Sequence, residues 1–104
     1  MEGNELISFQ IISAVGTARS MYVEAIQEAK KGNIEGAIEL INEGSKIFVE
    51  GHHAHASLIQ KEASGEKTEF SLILMHAEDQ LMTTETLKIV VEEFNELYRD
   101  KYNK

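Results

Sequence analysis

The sequence predicts an all-α fold: an antiparallel, up-down-up three-helix bundle in a single domain over residues 1–104. Three observations carry this reading. Apolar residues recur at helical spacing through three long segments, only two polar breaks interrupt them, and proline, the strongest helix breaker, is absent. Val90-Val91 is the one short β-branched run of interest, and it sits inside helical periodicity, so no sheet is expected.

The first segment places Ile7, Ile11, Ala14, Ala18, Met21, Ala25 and Ala29 on one face, with Val15 and Tyr22 beside them. Lys30-Lys31-Gly32-Asn33 ends it. Lysines complement the negative end of the helix dipole, glycine suits a C-terminal turn, and Asn33 is able to cap the next helix. The second segment buries Ile34, Ala37, Ile41, Gly44, Phe48, Gly51, His55 and Leu58. Glycine inside a helix costs about 1 kcal/mol against alanine, so Gly44 and Gly51 are read as points of close helix approach. Ser64-Gly65-Glu66-Lys67-Thr68 is the second break, with Thr68 as the expected N-cap and Glu69 complementing the following dipole. The segments run to roughly 26–32 residues, or about 40–48 Å as helices, which suits a bundle. Short connectors make neighbours antiparallel.

The third segment is unusual. Phe70, Leu74, Ala77, Leu81, Thr84, Val91 and Tyr98 form one core-facing stripe, and Leu72, Met75, Asp79, Met82, Thr86 and Ile89 form another. At about 100° per residue the two lie on nearly opposite sides of the helix. A helix buried on one side only has no use for the second stripe. Self-association is therefore expected, with Asp79 inside the seam and His76 one turn back on its flank.

Bulk composition narrows the function. With 104 residues, 42% hydrophobic and 27% charged, the chain suits one modest core and is too apolar to be disordered. The absence of cysteine excludes disulfides and thiolate zinc sites. Eighteen acids against ten Lys plus Arg give a net charge of −8, which opposes nucleic-acid binding. No apolar run is long enough for a membrane span, and the start Met1-Glu2-Gly3-Asn4-Glu5 is acidic where a secretory signal is basic, so a cytoplasmic location with no direct membrane insertion is expected. There is no glycine-rich phosphate loop, so any phosphoryl group must come from another protein.

His76 heads the chemical candidates, since an unperturbed imidazole titrates near about 6.5 and serves as nucleophile or base. A lone helical histidine is also often structural or solvated. Asp79 in an apolar seam costs several kcal/mol unless it is paired or binds a metal. Three copies around a threefold axis would repel, and a divalent cation held by oxygen alone, Mg²⁺ or Ca²⁺, would neutralise them. The plainer reading is an exposed aspartate among surface-apolar methionines. Of His52, His53 and His55, the spacing gives no convergent metal set. His55 is read as a hydrogen-bonded interior histidine and His52 as a candidate to line the site around His76.

At this point the residues carry a family pattern. Met75-His76-Ala77-Glu78-Asp79-Gln80-Leu81-Met82-Thr83-Thr84 resembles the His-Ala/Gly-Gln-Asp-His-Leu-Met-Thr signature of the enzyme IIA component of the lactose/cellobiose (chitobiose) class of the phosphoenolpyruvate-dependent sugar phosphotransferase system. Gly16-x-x-Arg19-Ser20, Glu50-Gly51-His52, Glu62-Ala63-Ser64-Gly65-Glu66 and Phe70-Ser71 are similar to the rest of that family in the same order. The resemblance implies a homotrimer, a trimer of bundles, in which His76 accepts a phosphoryl group, with its tele nitrogen the candidate position. The donor would be the histidine-containing phosphocarrier protein and the acceptor a cysteine of the IIB component, for disaccharide uptake through the IIC permease. It also implies that Asp79 holds a divalent cation, Mg²⁺ foremost, shared between subunits at the trimer axis. Gln80 and Thr83 become candidate donors to phosphate oxygens.

The chain departs from the family twice, with Glu78 where glutamine is usual and Gln80 where a second histidine is usual. The first adds a negative charge beside the site or away from it, according to where the side chain points. The second removes a hydrogen-bond partner. Two rivals remain at this stage: a trimeric, metal-stabilised regulatory or scaffold module without phosphoryl transfer, and a bundle binding a transition metal through His52, His55 and His76.

Overall fold

The computed structural model describes residues 3–103, so Met1, Glu2 and Lys104 lie outside the described residues. Three helices follow one another, α1 (Gly3–Lys30), α2 (Ile34–Ala63) and α3 (Leu72–Tyr102), in a rod of 56 × 24 × 19 Å. There are no strands among the described residues. The up-down-up course is visible in the contacts. Gly44 of α2 faces Ala18, Met21 and Tyr22 of α1, whereas Gly51 faces Ile11, Ala14 and Val15, so those two helices run antiparallel. Tyr102 at the end of α3 donates its hydroxyl to the Lys30 carbonyl at the end of α1, 2.6 Å away, so the first and third run parallel.

Small residues let α1 sit between the other two. Ala14, Ala18, Ala25 and Ala29 are buried along it, together with Ile11, Val15 and Tyr22. One cluster gathers Ala18, Tyr22, Ala25, Ala37, Ile41 and Val91, and a second gathers Ile11, Val15, Ala77 and Leu81, with Phe48 packed against both. The glycines of α2 mark close approach, as expected from their cost inside a helix. A Cβ on Gly44 would stand 2.9 Å from the Tyr22 ring, and one on Gly51 2.9 Å from Val15 Cγ1. Burial raises the Tyr22 phenol above its ordinary pKa, opposed by a 3.0 Å hydrogen bond with Ser45.

The first break behaves as read. Gly32 turns the chain with φ +92 beneath the Tyr102 ring, and the Asn33 side chain accepts from the Gly36 amide at 3.0 Å. The second break differs. The N-cap of α3 is Ser71, not Thr68: Ser71 is extended (φ −149, ψ 152) and its Oγ accepts from the Leu74 amide at 3.1 Å. Thr68 Oγ is buried without a partner. Both residues can cap, but Ser71 stands three residues before Leu74, the first residue of α3 that the bundle buries, whereas Thr68 lies within the irregular connector. Phe70 accordingly falls before the helix and is 75% exposed, outside the core stripe in which its spacing placed it.

The rest of that stripe is correct. Leu74, Ala77, Leu81, Thr84 and Val91 are buried and Tyr98 is half-buried. Thr84 is fully buried yet its hydroxyl has no partner, a state that costs about 1–3 kcal/mol. Thr84→Val, of nearly the same volume, is expected to raise unfolding stability by about 1–2 kcal/mol in denaturant titrations at fixed protein concentration. No gain there would mean that the hydroxyl is satisfied in solution. Gly44→Ala should do the reverse: the clash with the buried Tyr22 ring outweighs the helix-propensity gain of about 1 kcal/mol, so the midpoint should fall.

Candidate functional site

The bundle leaves one face of α3 without cover. Leu72 is 77% exposed, Met75 47%, Met82 62% and Ile89 61%, and Asp79 and Thr86 lie exposed among them. The second stripe thus exists as read, and its exposure in a single chain marks a face suited to burial by another molecule. No lysine or arginine stands in it between Leu72 and Lys88.

His76 is the fifth residue of α3 and is exposed. From Asp79 it is three residues, or about 60° around the helix, so it flanks the row rather than standing inside it. Ser71 fixes the helix start, and Ala77 and Leu81 hold this stretch against Ile11 and Val15 of α1. The imidazole therefore rides on a regular element with its ring open to an incoming partner. Chemically it offers a nitrogen lone pair on a rigid support.

The supporting residues are dispersed. Gln80 is half-buried one turn beyond His76. The Thr83 hydroxyl donates to the Asp79 carbonyl at 2.8 Å and lies 3.3 Å from the Gln80 carbonyl, so its proton is held by the backbone and must turn away to serve a phosphate. His52 is exposed on α2 and lines a depression of about 360 Å³ with His53, Ala56, Ser57 and Gln60, which includes no residue of α3. A larger groove of about 860 Å³ runs between α1 and α2, lined by Leu6, Phe9, Ser13, Ile47, Glu50 and His53, again without α3.

His55 is the interior, hydrogen-bonded histidine that its place on the core stripe predicts. Its side chain is 17% exposed, and Nε2 lies 2.8 Å from Glu78 Oε2. The identity of the partner was not readable, because 23 residues separate the pair and Glu78 belongs to neither apolar stripe. Glu78 is two residues, about 200°, around α3 from His76. Its charge is thus directed to α2 and away from the imidazole. Among the described residues no three His, Asp or Glu side chains converge as a metal site within one chain. The structure does not gather His52, His55 and His76 into one such group, which overturns the transition-metal bundle through those three. Asp79, a lone oxygen donor in an apolar row, could hold a cation only where copies of the chain bring further carboxylates to it.

Comparison with known proteins follows the same lines. Residues 6–99 match the family model described as PTS system, Lactose/Cellobiose specific IIA subunit. The oligo-beta-mannoside-specific EIIA component of Bacillus subtilis (strain 168) is 42% identical over 98 residues, covering 94% of this chain and 89% of that protein. Among solved structures, the cellobiose-specific enzyme IIA of Bacillus anthracis superposes with a TM-score of 0.95 at 43% identity, over 100% of this chain and 95% of the other. The IIA(Chitobiose)–HPr complex contributes a chain with TM-score 0.84 at 28% identity, covering 100% of both. No helix among the described residues is long and apolar enough to cross a membrane.

Proposed function

Because the chain belongs to the lactose/cellobiose-specific IIA family of the sugar phosphotransferase system, a family of phosphotransferase components, we propose that it relays a phosphoryl group through His76. The observation that carries the reading is the exposed His76 on a capped, packed helix, inside the stretch that the family model spans. The structural likeness to a IIA protein solved with HPr supports a histidine-containing phosphocarrier as donor.

The transfer is in line and loose, so positioning and charge stabilisation supply most of the acceleration. A neutral His76 nitrogen, the tele nitrogen in this reading, attacks phosphorus. The N–P bond to the carrier's ring breaks, and its electron pair returns to that ring. The N–P bond on His76 is then broken by a cysteine thiolate of the IIB component, forming S–P. Gln80 and Thr83 are the nearest candidates to donate to phosphoryl oxygens, with His52 a more distant one. The exposed Leu72 and Met75 make an apolar rim that a partner would cover. In this account the protein acts in the cytoplasm. Sugar choice rests with the IIC permease, which it serves only indirectly.

The uncovered row on α3 is proposed to meet two copies of itself, giving a homotrimer with Asp79 near the axis. Three carboxylates in an apolar seam need a counter-ion, and oxygen-only donors suit Mg²⁺. The cation would hold the subunits together by neutralising this repulsion.

Two outcomes test the proposal. Incubated with the phosphorylated carrier, the wild type should take up acid-labile phosphate and His76→Ala none. Label persisting on that variant removes the assignment, and an unlabelled wild type would favour a scaffold without transfer. Asp79→Leu should lose bound divalent metal and still sediment as a trimer, indifferent to chelator, because a knob that packs replaces a buried charge. A monomeric variant, or one that keeps its metal, contradicts the role of Asp79.

A further inference from the structure

Only one side-chain hydrogen bond among the described residues crosses from α2 to α3, the 2.8 Å bond between His55 Nε2 and Glu78 Oε2. It stands where the packing around α3 is thin. Leu74, Ala77 and Leu81 are buried here, while Leu72, Met75 and His76 are exposed, and the connector behind them is exposed over residues 64–67. The apolar anchors Ala77 and Leu81 belong to the cluster with Ile11 and Val15 of α1. Glu78 lies about 100° beyond Ala77, on the α2 side. Contact with α1, with Phe48 and Ala54 of α2 packed against the same cluster, fixes where the helix lies, and the His55 bond adds a polar tie on its α2 side.

Roll matters because of where His76 stands. With side chains the helix has a radius of about 5–6 Å, so a roll of about 15° carries the imidazole about 1–2 Å. A misplacement of about 1 Å can cost a group-transfer step up to about 100-fold. The family signature usually has glutamine at this position, and here a carboxylate meets a histidine. A carboxylate only accepts, so the ring donates from Nε2, in either charge state of the imidazole.

We propose that His55 and Glu78 are positioning residues for phosphoryl transfer at His76, their bond holding the roll of α3 that presents the imidazole. This rests on the relay proposed above. The tie itself, on the other hand, is readable without it.

The experiment follows labelled phosphate from the phosphorylated carrier to wild type, His55→Ala, Glu78→Gln and the exchanged pair H55E/E78H over a range of carrier concentrations. Amide hydrogen exchange is followed over residues 74–81 of each. His55→Ala should lower the rate at saturating carrier about tenfold with KM changed less than about twofold, and should speed exchange over residues 74–81 while α1 stays protected. Glu78→Gln, whose amide oxygen still accepts from His55, should remain within about threefold of wild type, and the exchanged pair should recover most of the loss. His55→Ala at the wild-type rate, or Glu78→Gln as slow as His55→Ala, overturns the proposal. A wild type that accepts no phosphate would refute the relay instead, and exchange over residues 74–81 would still show whether the bond restrains the helix.

Discussion

Everything in this molecule turns on α3 being apolar around more of its circumference than its own bundle can cover. Burial of Leu74, Ala77, Leu81 and Val91 against α1 and α2 consumes one side. The opposite side keeps Leu72, Met75, Met82 and Ile89 in water, at about 25 cal/mol for each Å² of apolar surface left exposed. Among the described residues no further element lies over them. The same helix therefore turns one face into the fold and another outward, and its candidate functional side chains lie around the boundary between them.

The narrowness of the bundle follows from its small residues. Alanines along α1 and Gly44 and Gly51 on α2 draw those two helices close, so that the Tyr22 ring and Val15 of α1 pack directly on the two glycines. Strength comes from few large groups, Tyr22 and Val91 among them, and the ends are closed by polar devices such as the Tyr102 hydroxyl on the Lys30 carbonyl. A rod built this way is stiff along α1 and α2. It is less constrained at the start of α3, where the first buried residue, Leu74, comes eleven residues after the end of α2 at Ala63.

What could be read from the residues alone was whatever periodicity encodes. The three helices, both faces of α3, the close-approach glycines and the interior place of His55 all follow from which positions recur at helical spacing. What escaped was set by competition or by distance in sequence. Thr68 and Ser71 are both good caps, and only packing of Leu74 decides between them. Asn95 is buried although its polarity argued for the surface, and neither stripe included it. Glu78 could have pointed anywhere on the free arc of α3, and its choice of His55 depends on the antiparallel register of two helices. The motif nominated His76, whereas no spacing rule reached the groups around it. His52, nominated as a neighbour of His76, lines a depression on α2 instead.

The angular order around α3 also explains why its two departures from the family pattern are compatible with the proposed relay. Asp79, His76 and Glu78 are separated by about 60° and 200° of helix rotation. Asp79 falls within the apolar row, where association would remove it from water. Were His76 there too, the imidazole would be sealed off from any protein that had to reach it. On the flank it can border an interface and still open to solvent. Glu78, nearly diametrically opposed, adds its charge on the side where the phosphoryl group is not, and the His55 ring holds it there. Had the same carboxylate replaced Gln80, one turn from His76, it would have faced a phosphoryl dianion across a few ångströms, where like charges repel strongly. Glutamine there keeps a donor without a charge. Thus the substitution that adds a negative charge and the one that removes a titratable ring fall at the positions where a phosphate-bearing histidine tolerates each.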